Sequence, residues 1–144
     1  MIPGRTARTY LARGLTVVEL RGDIDIATLP AARLHLEAVT ARPFPVLLVD
    51  LRPVAFFGCQ GLRLLLAAQW RTLQQRGRLY LVCDSPQILR LLDIVGLLAL
   101  FQPAPTINQA LADTGALNAT LRRPPRRAWS GRGRTPEGED ESAT

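Results

Sequence analysis

Residues 49–66 read VDLRPVAFFGCQGLRLLL, and the change of pattern along them decides the fold. The segment PVLLVDL (45–51) leads in as a continuous apolar run bounded by prolines, which marks a strand covered on both faces. FFGCQG follows as a loop. From Gly61 to Arg76, Leu62, Leu65, Leu66, Gln69 and Leu73 recur at helical spacing, and Gly77 supplies the C-terminal stop. A strand, a loop and a helix start in this order commonly carry chemistry. Here the loop holds no His, no carboxylate and no hydroxyl, only Gly58, Cys59, Gln60 and Gly61.

Outward from that centre, RTYLAR (8–13) and LTVVELRG (15–22) are two short strand-like runs that read as an antiparallel hairpin. After GDIDIAT, Leu29, Ala32, Leu36 and Val39 recur at helical spacing, with Thr28 as cap and Pro30 in the first turn. RLYLVCD is the next strand. Ser85 and Pro86 open a short helix that buries Ile88, Leu91, Leu92 and Val95 and closes at Gly96. LALFQ reads as a last strand, and Thr106 caps a final helix running through Ile107, Ala110 and Leu111 to Gly115. Strands separated by helices imply right-handed crossovers, hence an α/β fold with a mostly parallel sheet of four to five strands, an antiparallel edge and about four flanking helices.

The chain has 144 residues, the size of a single domain, and 47% of them are hydrophobic. Residues 1–7 read as an N-terminal extension, 8–117 as the domain and 118–144 as a tail. Within that tail RRPPRRAWSGRGRTPEGEDESAT (122–144) is too poor in branched apolar residues to order itself. Trp129 lies in it. The net charge of +6 comes entirely from Arg, 12 against 8 acids up to Leu121 and 6 against 4 after it. Scattered arginines without an aromatic platform or a recognition helix argue against nucleic-acid binding. The N-terminus has no apolar signal region, no run is long enough to span a membrane, and two cysteines make no disulfide framework, so the expectation is a cytoplasmic protein without membrane insertion.

VVELRGDIDIATLPAAR, VLLVDLRPVAFFGCQGLRLLLAA and GRLYLVCDSPQILRLLDIVGLLALF, in this order, resemble the STAS domain of bacterial anti-sigma factor antagonists over roughly residues 8–114. The resemblance implies a regulatory protein that binds a serine-kinase-type anti-sigma factor to control transcription, and not an enzyme. In typical members an Asp-Ser-Ser-Gly-Leu or Asp-Ser-Thr-Gly-Leu motif opens the second helix, and its first hydroxyl residue is phosphorylated by the partner kinase. Phosphorylation ends the association.

Laid on that motif, this chain reads Gly58, Cys59, Gln60, Gly61, Leu62. Cys59 stands where the phosphoacceptor would be, Gly58 where the carboxylate would be and Gln60 where the second hydroxyl would be. Three readings of Cys59 stay open: a small residue that keeps the loop packed, an antagonist that its kinase cannot turn off, and a thiol sensor with Arg63 as a basic neighbour one turn on. A STAS accessory subunit of a transport system is the alternative of a different class. Cys83, at the end of a core strand, reads as a small buried hydrophobe that the sheet could bring toward Cys59.

Asp23 and Asp25 lie in the strand-to-helix turn, where each is either a partner contact or a residue that fixes the turn. On the second helix the inward stripe leaves Gln60, Leu64, Ala67, Ala68 and Arg71 outward, so the expected partner surface is Asp23, Asp25, Cys59, Gln60, Arg63 and Leu64. His35 is the only histidine. It reads as a surface or boundary residue, no residue cluster has metal spacing, and no cofactor is expected.

Overall fold

The computed structural model describes residues 6–112. The expected domain boundary at 117/118, Trp129 and the helix end at Gly115 lie outside the described residues. Strands β1 (Ala7–Ala12) and β2 (Leu15–Leu20) form an antiparallel hairpin through a two-residue turn in which Arg13 and Gly14 both have positive φ. A two-residue strand, β3 (Gly22–Asp23), precedes helix α1 (Leu29–Thr40). Strand β4 (Val46–Asp50), the short β5 (Val54–Phe56), helix α2 (Gly58–Gln74) and strand β6 (Arg78–Val82) follow. Helices α3 (Pro86–Ile94) and α4 (Leu98–Phe101) come next, and residues 107–112 begin another helix.

The main sheet has the order β1-β2-β4-β6, antiparallel at β1–β2 and parallel in the other two pairings. Alternation along each strand supplies two cores. Val18, Leu20, Leu47, Val49 and Leu81 face α1, α2 and α3, meeting Leu36, Leu65, Ala68, Ile88 and Leu92. Val17, Leu48 and Val82 face the other way, against Ala104 and Ala110. Covering both faces is the reason the strand around Leu47–Val49 is apolar at every position.

Three expectations are corrected here. LALF is helix α4, not a strand: Leu and Ala favour a helix as readily as a strand, and one short turn seats Phe101 in the core. The chain then leaves through Gln102 at φ +44, and only Ala104 reaches the sheet, as a single parallel bridge to Val82. Helix α2 begins at Gly58 rather than Gly61, which makes the motif part of its first turn.

The phase of α2 also differs. Its buried residues are Gly61, Leu62, Leu64, Leu65, Ala68 and Thr72, whereas Leu66 and Leu73 are 41% and 51% exposed. The helix packs against α1 as well as against the sheet, which widens its buried arc to take in Leu64 and Ala68, while Gly61 meets the Phe57 ring. Leu64 and Ala68, expected outward, are therefore buried. Thr72 is accommodated at full burial because its hydroxyl donates to the Ala68 carbonyl at 2.7 Å.

Candidate functional site

Two elements too short to read from periodicity place the site. Gly22 and Asp23 of β3 pair in parallel with β5, and Ile24 N–H donates to the Phe56 carbonyl at 2.8 Å. The turn after β3 is thereby fixed beside the start of α2. Asp25 shapes it: its Oδ1 accepts from Ala27 N–H at 3.0 Å and Thr28 N–H at 3.1 Å. Thr28 Oγ1 donates to the Asp23 carbonyl at 2.6 Å and accepts from Asp25 N–H at 3.0 Å. The Asp25 carboxylate thus serves the turn, and the Asp23 side chain stands exposed with its backbone in β3.

The α2 start is packed by the two phenylalanines before it. Phe57 is buried against Gly61, while Phe56 is 58% exposed and its ring lies over Gly58. Gly58 has φ +62, a backbone conformation that favours glycine. No side chain caps this helix and its first turn carries no acid. Among the described residues, the N–H groups of Gly58, Cys59 and Gln60 have no acceptor, and the first amide to bond back is that of Gly61, to the Phe57 carbonyl.

Ile24, Ile26, Phe56, Phe57, Cys59 and Gln60 line a shallow recess of about 580 Å³ together with Asp25 and Ala27. Ile26 is 76% exposed on its rim. Of the residues expected at the partner surface, Asp25, Cys59 and Gln60 share this recess. Arg63 and Leu64 do not. They turn to the other side of α2, where Arg63 lines the groove toward α1 and Leu64 is 4% exposed against that helix. Ile26 and Phe56 are the members that sequence reasoning missed; the signal was two large apolar residues in turn segments, outside any buried period.

Cys59 is an exposed free thiol and Cys83 a buried one, packed in the core beneath the three helices. Burial pushes the Cys83 thiol pKa up from the ordinary 9.0, partly opposed by its contact with the Ser85 carbonyl. On the opposite sheet face, Glu19 and Asp50 are buried neighbours in register. Glu19 pairs with Arg8 at 2.6 Å and Arg21 at 3.1 Å; Asp50 pairs with Arg52 at 3.0 Å. These hydrogen bonds raise the pKa of Arg8 and of Arg52. Among the described residues no group of three or more His, Cys, Asp or Glu could hold a metal ion, and no helix is long and apolar enough to cross a membrane.

The STAS domain family model matches residues 7–110. The chain belongs to the STAS family. An anti-sigma F factor antagonist of Paenibacillus polymyxa is 32% identical over 87 residues, which are 59% of this chain and 74% of that protein. The crystal structure of an anti-sigma factor antagonist from Mycobacterium paratuberculosis, 32% identical, superposes with a TM-score of 0.68 over 75% of this chain and 92% of that one. A STAS domain protein of Planctomyces limnophilus, 20% identical, shares the fold with a TM-score of 0.62 over 74% and 96% of the two chains. This STAS domain is of the anti-sigma factor antagonist type, a regulatory module rather than an enzyme.

Proposed function

We propose that this STAS domain binds a serine-kinase-type anti-sigma factor through the recess beside the α2 start, and that Cys59 leaves it without the usual phosphorylation switch. The observation that carries the reading is the clustering of exposed Ile26 and Phe56 around Cys59 and Gln60. An apolar recess with a polar rim is what a protein partner buries, and the Mycobacterium paratuberculosis protein named as an antagonist has this same fold.

The consequence of the cysteine follows from the helix start. A hydroxyl at this position would carry a phosphate into three free amides and the positive end of the helix. That group would add about −1.5 to −2 charges at neutral pH beside Ile26 and Phe56, enough to expel an apolar partner. A thiol is not the acceptor of a serine kinase, so association here is persistent. Cys59 and Gln60 contact the partner, and Asp25 holds the turn that presents Ile26.

The test is capture from native lysate by the wild-type chain and by Cys59→Ser, each with and without ATP, with bound proteins and phosphate read by mass spectrometry. The expected result is that both capture a histidine-kinase-like anti-sigma factor and only the serine variant is phosphorylated and released. Capture of a transporter ATPase in its place would assign the domain to the accessory class.

A further inference from the structure

On the other side of α2 lies a second recess, the groove toward α1, about 220 Å³ in volume. Arg33 of α1 and Arg63 and Arg71 of α2 line it, with Gln60, Leu29 and Leu64. Arg63 and Arg71 are two turns apart on one helix face. Among the described residues none of the three arginines is ion-paired and no carboxylate lines the groove, whereas the buried carboxylates of Glu19 and Asp50 have arginine partners. Arg71 is held in place. Its Nε donates to Thr40 Oγ1 at 3.1 Å, and Thr40 is in turn fixed by donating to the Leu36 carbonyl at 2.7 Å. Its Nη2 is buried with no acceptor.

A guanidinium nitrogen withdrawn from water without an acceptor destabilises the fold, and three permanent positive charges around one cavity repel one another. An anion in the groove offsets that repulsion. We propose that the α1–α2 groove is a binding site for a phosphate-class oxyanion, gripped by Arg33, Arg63 and Arg71 with Gln60 as a neutral donor. Charge and size set the class. One carboxylate brings a single negative charge and two oxygens, which satisfy one guanidinium fork. A phosphate or diphosphate brings two or more charges and enough oxygens for three forks, and it suits a cavity of this volume. Gln60 also lines the recess beside Cys59, so the occupant would sit against the same first turn of α2.

The test titrates inorganic pyrophosphate into the full-length chain at constant ionic strength. Calorimetry reads the affinity, and the arginine Nε–H signals in ¹H–¹⁵N spectra read the place. Arg33→Gln and Arg63→Gln alter exposed positions and keep every arginine of residues 122–144, so they separate the groove from that basic segment. The expected result is saturable binding that shifts the Arg71 Nε–H signal and weakens about tenfold or more in each variant. Arg71→Gln should abolish the site, and the two exposed variants decide the matter if it fails to fold. Equal affinity in wild type and both exposed variants would overturn the proposal. So would acetate or citrate binding as tightly as pyrophosphate, which would point to carboxylates of a protein partner.

Discussion

The Phe57 ring occupies the space where a side chain on Gly61 would go: a Cβ built on Gly61 stands 2.4 Å from Phe57 Cδ1 and 2.6 Å from Cγ. Those atoms are the near part of a buried ring, so they cannot swing aside without disturbing the core around Leu62 and Leu65. Glycine inside a helix ordinarily costs about 1 kcal/mol relative to alanine, which alone would make Gly61→Ala stabilising. Overpacking costs roughly 1–3 kcal/mol and acts in the opposite direction. With contacts this short the steric effect wins. Gly61→Ala should lower the stability by about 1–2 kcal/mol in urea unfolding, and an unchanged or raised midpoint would show that Phe57 has room to move.

Asp23 and Asp25 are both acids of the GDID turn, yet only one has a structural duty. Asp25→Ala removes the acceptor of two backbone N–H groups and should cost about 1 kcal/mol. Asp23→Ala should stay within about 0.5 kcal/mol, because the contact of Thr28 is to the Asp23 backbone carbonyl, which the substitution keeps. Thermal unfolding of the two variants side by side checks this. Equal losses would mean that the Asp25 carboxylate is not what holds the turn.

How far the sequence carried depended on the length of the signal. The strand around Leu47–Val49 and the Ser85–Pro86 start of α3 were legible because apolar periodicity and local chemistry agree there; Thr28 does stand at the N-cap of α1, but its hydroxyl bonds back to the Asp23 carbonyl instead of capping the helix. The Ser85 hydroxyl does accept from Ile88 N–H. Strands β3 and β5 were not legible, since two or three residues hold no period, and yet they set the Asp25 turn beside Cys59. In α2 the stretch LRLLLAA offers more leucines than the interior can take. Periodicity alone could not tell that Leu64 is covered by α1 while Leu66 faces outward. The Gly58–Leu62 motif stood out in the sequence. Ile26 and Phe56 did not, because burial and pairing, and not composition, leave them exposed.

The two sides of α2 should respond differently to substitution. Leu64→Ala opens a cavity against α1 and should cost about 2–5 kcal/mol. Ile26→Asp, at a position 76% exposed, should leave stability within about 0.5 kcal/mol while weakening capture of the partner. Chemical denaturation paired with the capture assay separates the two. A silent Leu64→Ala, or an Ile26→Asp chain that unfolds, would contradict this division of the helix into a packed side and a binding side.

The two thiols give the last contrast, and its sign follows from burial. Burial holds the Cys83 thiol neutral in the folded chain beyond the pH at which it ionises when unfolded, ordinarily about 9.0. Between those two values the folded state binds more protons than the unfolded one, so stability falls as pH rises through that window and is fully retained below it. Tyr10, also raised by burial, adds a second decline that opens only near its ordinary 10.0. Wild type should therefore lose stability with pH sooner than Cys83→Ala, the difference opening near pH 9 in urea unfolding measured at successive pH values. Iodoacetamide at pH 8 checks the same geometry by a different route. It should label Cys59 promptly in the folded chain and Cys83 only on opening or after denaturant is added. Equal labelling of both thiols under native conditions, or identical pH profiles for wild type and Cys83→Ala, would mean that Cys83 is not sealed in the core as its 2% exposure requires.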